Sequence, residues 1–232
     1  MPRQRTSVPE ATPATKSLLL AVMRLELEPD HPAGKAVAAG ALAERLKLAP
    51  SSVTEMLQRA ARDGFLNYRS RRGASLSDPG RVLAMHLLRR HRLIETFLQR
   101  TLGFDWSEVH AEAERLEGSA SDAFIERVDQ VLDHPLTDPH GDPIPNIDGV
   151  LAKPEGRPVT THPVGSRLRL VRVLGNDGDF LRLLGGHGLA PSSRFTLASI
   201  NETAGTVELS LGRGKKLILG HSATQRMIAT TS

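Results

Sequence analysis

Between residues 49 and 76 the chain switches from a helical to an alternating pattern, and few folds accept both in so short a span. APSSVTEMLQRAARDGFL reads as a helix over residues 51–62, with Ser52 and Glu55 spaced as a capping pair and Asp63-Gly64 as the stop. FLNYRSRRGASL places alternating apolar positions on both sides of an Arg-Arg-Gly tip, the pattern of a β-hairpin. Upstream, residues 39–48 read as a helix with Leu42, Ala43 and Leu46 on its buried face, and residues 47–50 as a turn. Residues 16–27 have the Leu-rich pattern of a short first helix, ended by EPDHPAGKAV with its prolines and glycine. This order predicts a winged helix-turn-helix over residues 16–80, preceded by a flexible basic arm over residues 1–15.

Such a domain lays its second helix in the major groove and presents N-terminal side chains to base edges. Here these are Ser51, Ser52, Thr54, Glu55 and Gln58. Ser and Thr reach phosphate or base, and Glu accepts from the cytosine amino group. Arg71 and Arg72 at the hairpin tip would contact phosphate or enter the minor groove. With Arg62 and Arg69 they concentrate positive charge in a chain of net +4 and pI near 9.8, which favours double-stranded DNA as partner. The plainer alternative is a helical hairpin with a solvated, Arg-rich loop.

The chain has no cysteine, which excludes disulfides, thiolate zinc fingers and Cys nucleophiles. No apolar run approaches the roughly 20 residues of a bilayer span, and MPRQRTSVPEATPATKS lacks the apolar core of a signal peptide. The expected location is the cytoplasm, with no membrane partner. Only 3% of residues are aromatic, so the cores must be built from Leu, Val, Ala and Ile.

Asp78-Pro79 opens a further helix that runs to residue 102, where Gly103 stops it. Another starts at Asp105 or Ser107 and is expected to continue past Phe124 to about residue 132. The first carries His91 and Glu95, and the second His110, Glu114 and Glu117. Residues four and seven apart share a helix face, so each helix can aim an imidazole and a carboxylate at one point. Imidazole and carboxylate without thiolate form a ligand set for a divalent first-row metal. Salt bridges to Arg89, Arg92 or Arg115 are the alternative. DHPLTDPHGDPIPN follows as a stiff connector. Beyond residue 157, SRLRLVRVL, RFTLASI, GTVELSL and KLILG are short strands whose spacing predicts a small barrel. A metal site beside a DNA reader suggests a metal-sensing regulator, not an enzyme. Two rivals remain at this point: a di-metal carboxylate enzyme, and a winged-helix regulator sensing a small organic ligand.

APSSVTEMLQRAARDGFL, RRHRLIETFLQRTLGFDWSEVHAEAERLE and HPLTDPHGDPIPN, in this order, resemble the diphtheria-toxin-repressor family of iron- and manganese-dependent regulators. The resemblance spans nearly the whole chain. It implies a multi-domain, mainly α protein with β: a winged helix-turn-helix, a helical metal-binding and dimerisation domain over residues 81–150, and a FeoA-like small β-barrel over residues 157–232. It also implies a homodimer that binds a palindromic operator as a repressor when loaded with metal. By position, His91, Glu95 and His110 match one metal site, completed from the barrel by Asn176 and Asp179 of GNDGDFLRLL. Glu114 and Glu117 match a second. Iron-type members usually carry Cys where this chain has Glu114, and manganese-type members carry Glu. The implied cofactor is Mn2+ or Fe2+, with Mn2+ favoured. The chain departs from the pattern at Gly118, where His is common. It also departs in the first helix, where Lys16, Ser17 and Leu20 replace a Met or acidic ligand, so either Glu10 or Glu112 substitutes in a rewired second site or only one site is strong.

Overall fold

The computed structural model describes residues 10–28 and 31–232, which fall into two compact units. The first comprises the chain up to Arg90 together with Pro145–Val150, and the second His91–Ile144 with Leu151–Ser232.

In the first unit, α1 (Pro13–Glu26) starts three residues before the sequence pattern indicates. Thr12 caps it by accepting from the Thr15 N–H at 3.2 Å, and Pro13 supplies a φ already suited to the first turn. The expected arm over residues 1–15 is therefore too long. Residues 13–15 are helical and Thr15 is buried, while residues 1–9 lie outside the described residues. Leu18 to Met23 are all buried against α2 (Ala39–Leu46), α3 (Pro50–Arg62) and the hairpin of β1 (Leu66–Arg69) and β2 (Gly73–Leu76). Fully burying one Leu of this kind contributes about 1.5–3 kcal/mol.

The predicted capping pair does not form. Ala49 is the N-cap of α3 and Pro50 its first residue, so Ser52 and Glu55 stand inside the helix. Proline stabilises this start because it has no N–H to leave unpaired. The expected hairpin forms, with Leu66 opposite Leu76 and Arg69 opposite Gly73, and Val37 adds a bridge to Ala74. Gly73 has φ +95°, and a Cβ there would lie 2.4 Å from the Val37 carbonyl oxygen, so only glycine fits.

Helix α4 (Asp78–Leu102) has the predicted bounds. In the second unit its residues His91 to Thr96 are all buried. The single helix expected from Ser107 to residue 132 is in fact two, α5 (Val109–Leu116) and α6 (Asp122–Val131). Gly118 and Ser119 interrupt the run, and Ser121 caps α6 by accepting from the Phe124 N–H at 3.2 Å.

The C-terminal part holds β3 (Arg157–Pro158), a 3-10 turn (Val159–Thr161), β4 (Arg167–Val173), α7 (Gly178–Gly186), β5 (Arg194–Asn201), β6 (Thr206–Gly212), β7 (Lys215–Gly220), α8 (His221–Gln225) and β8 (Met227–Thr231). The strands pair antiparallel in the order β3-β8-β4-β5-β6-β7. This corrects the expected barrel: no pairing among the described residues joins β3 to β7, and the sheet is open. Leu168, Leu170, Leu197, Val207 and Leu209 form its buried face, against Leu181 and Leu184 of α7. No helix among the described residues is long and apolar enough to cross a membrane.

Candidate metal centre and nucleic-acid interface

His91 and Glu95 sit one turn apart on α4, and His110 enters from α5. Glu95 Oε1 lies 2.9 Å from His91 Nε2 and 2.9 Å from His110 Nδ1, and the two ring nitrogens are 3.0 Å apart. Three donor atoms thus form a nearly equilateral triangle. Metal–ligand bonds of about 2.1 Å at right angles place neighbouring donors about 3.0 Å apart, the edge of an octahedron. The donor set and its spacing fit a divalent first-row ion bound on one face.

The outer nitrogens of both rings are engaged by glutamates. His91 Nδ1 meets Glu117 Oε2 at 2.7 Å, and His110 Nε2 meets Glu114 Oε1 at 3.2 Å. A neutral imidazole carries one proton, and a carboxylate only accepts. If each ring donates outward, then Nε2 of His91, Nδ1 of His110 and Oε1 of Glu95 are three lone pairs converging with no hydrogen between them. Only a proton or a metal cation at the centre relieves that repulsion. Glu95 is 3% exposed; burial pushes its carboxyl up. With a proton held on the imidazoles in place of a cation, the His91 charge, the hydrogen bonds from His110 and His91 and, least, the His140 charge outweigh burial and hold it well below the usual range.

A second group shares Glu95. Asp138 and His140, in the segment read only as a connector, are buried and bring ligand atoms within 4.8 Å of the Glu95 carboxylate. His140 Nε2 donates to the Trp106 carbonyl at 2.8 Å, which leaves Nδ1 as the lone-pair nitrogen. Asp138 Oδ1 accepts the backbone N–H groups of His140 and Asp142 at 2.8 and 2.9 Å. Burial pushes the Asp138 carboxyl up to about 7, the Asp142 and Glu95 charges add to this, and Arg92 and His140 oppose it. Arg92 is itself buried and bridges Asp138 and Asp142 at 3.6 and 3.5 Å, while Arg172 of β4 closes on Asp142 at 2.6 Å. Gly141, at φ +87°, lets this loop approach β4, since a Cβ would lie 2.0 Å from the Val171 carbonyl oxygen. Sequence periodicity could not find Asp138 and His140, because they sit in a loop; an Asp-Pro-His run in an otherwise apolar-anchored connector was the available signal.

The structure brings together His91, Glu95 and His110 with Glu114 and Glu117 behind them. It does not bring Asn176 and Asp179 to either group. Asn176 is exposed, and Asp179 points outward at 93% exposure, paired with Arg182 at 2.6 Å. Asp177 between them caps α7. Glu112 pairs with Arg115, and Glu10 is exposed.

On α3, Ser51, Ser52, Glu55 and Gln58 are exposed, opposite the buried Val53, Leu57 and Ala60. Thr54 donates its hydroxyl to the Pro50 carbonyl at 2.8 Å and is half-buried. Arg71 and Arg72 are exposed at the hairpin tip, Arg71 with φ 63°.

Three family descriptions match the chain in succession: "Iron dependent repressor, N-terminal DNA binding domain" over residues 30–74, "Iron dependent repressor, metal binding and dimerisation domain" over residues 77–146, and "FeoA domain" over residues 157–229. The iron-dependent repressor IdeR of Mycobacterium leprae is 32% identical over 192 residues, covering 78% of this chain and 83% of that protein. Among solved structures, a manganese-dependent transcriptional repressor in complex with manganese superposes with a TM-score of 0.84 at 32% identity, covering 94% of this chain and 100% of the other. ScaR with bound Zn2+ superposes at 0.77 and 28% identity, covering 94% and 99%.

Proposed function

This chain belongs to the iron-dependent repressor family that includes the diphtheria toxin repressor, and we propose that it is a homodimeric repressor that binds a palindromic operator when Mn2+, in preference to Fe2+, occupies the centre built on His91, Glu95 and His110. The relatives named above are repressors, and an enzymatic reading is set aside on that ground. The observation that carries the proposal is the triangle of lone pairs at 2.9–3.0 Å, with both imidazoles backed by an outward hydrogen bond.

The metal would be held by His91 Nε2, Glu95 Oε1 and His110 Nδ1, with Asp138 and His140 as further donors on the Glu95 side. A bound cation supplies the positive charge that lets three acceptors converge. Glu117 fixes the His91 tautomer so that Nε2 faces inward, and Glu114 does the same for His110. These residues belong to α4, α5 and the 138–140 loop, so the cation ties three segments together. In the free protein a proton must take its place, and loading releases it. The all-oxygen-and-nitrogen set favours Mn2+ or Fe2+ over ions that seek thiolates. Metal binding then shifts the population towards a dimer whose reading helices match half-sites about 34 Å apart, with a coupling of about 1–3 kcal/mol.

Elemental analysis of the purified protein, followed by duplex-DNA binding with and without a chelator, tests this directly. Bound Mn or Fe and chelator-sensitive binding are expected. A metal-free protein that binds DNA equally well in chelator would overturn the metal requirement.

A further inference from the structure

Residues 157–232 carry ten Lys and Arg against four Asp and Glu, a net of +6 in a chain whose total is +4. Three of the four acidic side chains are already paired, Asp177 with Arg226, Asp179 with Arg182 and Glu208 with Lys216. The surplus is not spread evenly. Strand alternation puts Leu168, Leu170, Phe195 and Leu197 on the buried face, which leaves Arg167, Arg169, Arg194 and Thr196 on the other. Across the ladder, Arg169 stands directly opposite Arg194, and Arg167 opposite Thr196, which is followed by Ser210 and Lys216. Arg213 adds an exposed cation at the β6–β7 turn, while Lys215, next to Lys216 on β7, falls by alternation on the side of Leu217 and Leu219. Arg167, Arg194, Thr196 and Ser210 line a shallow depression of about 420 Å³ on this face.

Like charges placed opposite one another on neighbouring strands destabilise a sheet unless an anion lies between them. Among the described residues, Arg167, Arg169, Arg194, Arg213 and Lys215 have no side-chain ion pair or hydrogen bond. A solvated face would need no such alignment of cations with hydroxyls between them. We propose that this outer face of the C-terminal sheet is a second DNA-contacting surface, which takes the phosphates of a duplex through Arg167, Arg169 and Arg194. Duplex is favoured over single-stranded nucleic acid because base stacking needs exposed aromatic rings, and Phe180 and Phe195 are both buried. The proposal goes beyond the winged-helix reading and rests on it only for the class of partner.

The phosphate contribution is independent of sequence, so no operator is needed to measure it. The full-length, Mn2+-loaded chain is titrated on a mixed-sequence DNA duplex by fluorescence anisotropy at several salt concentrations. With three phosphates no longer neutralised, the slope of log K against log salt should flatten by about 2.7 in Arg167→Gln/Arg169→Gln/Arg194→Gln, with binding at low salt about tenfold weaker or more. The Arg-to-Lys version keeps the charges and is expected to keep the slope. If the triple variant melts early, Arg167→Gln/Arg194→Gln, which keeps Arg169, reads the same face, with a flattening of about 1.8. A wild-type slope in these Gln variants overturns the proposal, as does an equal flattening in the Lys version, or tighter binding to a single strand that the triple variant abolishes. Arg71→Gln/Arg72→Gln serves as reference: an unchanged slope there, with a flattened one in the sheet variant, would sink the wing assignment and leave the sheet face standing.

Discussion

His91 and Glu117 meet at 2.7 Å although 26 positions separate them, and their pairing turns the imidazole so that Nε2 faces Glu95 and His110. Glu117 therefore stands behind the cluster against the ring of a donor, where the family resemblance placed it with Glu114 as ligands of a second site. Glu117→Gln keeps the size but weakens the hold on the Nδ1 proton. Mn2+ affinity, measured by isothermal titration, should fall about 10–100-fold. Unaltered affinity would show that His91 is oriented by other groups.

Glu114 is 54% exposed and stands 3.2 Å from His110 Nε2. Replacing it with Cys shortens the side chain and takes away the carboxylate that accepts from His110 Nε2. Half-maximal DNA binding should then need more Mn2+, Co2+ and Zn2+ alike. A rise in the response to Co2+ or Zn2+ relative to Mn2+ would show instead that position 114 reaches the metal itself.

Asp138 gives the metal-free protein a defined pH response. Its carboxyl is raised in the fold from the ordinary 3.8 to about 7 by burial and by the Asp142 and Glu95 charges. The folded state therefore binds the extra proton between these values, and the stability this contributes is full below pH 3.8 and disappears as pH rises through about 7. In chelator, Asp138→Asn should remove this fall, which is on the order of a few kcal/mol. Chemical denaturation of both proteins across that window is the measurement, and parallel pH curves would contradict the assignment.

Arg72→Glu should weaken binding to all DNA sequences alike and flatten the salt dependence by about 0.9 for each phosphate that is no longer neutralised. Arg72 is exposed beside Arg71 at the tip of the β1–β2 hairpin. A sequence-selective weakening with the slope intact would point to base reading by this residue.

The helices and the hairpin were legible because their apolar residues repeat with the periods of the structures they form. The bounds of α4 follow from Asp78-Pro79 and Gly103, and the hairpin from its Arg-Arg-Gly tip. What periodicity could not supply was the break between α5 and α6, since Gly118 and Ser119 interrupt a run whose apolar spacing resumes at Ile125. Strand β8 was missed because MIATT lies at the chain's end without flanking turn residues. At the centre, spacing along α4 and α5 brought out His91, Glu95 and His110, which local geometry places on one side of each helix. Asp138 and His140 reach Glu95 through a loop, and tertiary packing decides that, not local sequence. The choice of Asn176 and Asp179 followed the resemblance alone, and the capping role of Asp177 turns that segment into a helix start instead.

Trp106 is the only tryptophan in the chain, and it is stacked on His140 with ring centroids 5.9 Å apart while its carbonyl accepts the His140 Nε2 proton. The same indole is packed in the core of the C-terminal sheet. The protein thus carries its own optical probe at the edge of the Glu95–Asp138–His140 group. A cation bound at His140 changes the charge beside an excited indole, so emission intensity should follow loading without any label. The single tyrosine, Tyr68, lies on β1 in the other unit, so selective excitation of the indole reads one unit alone.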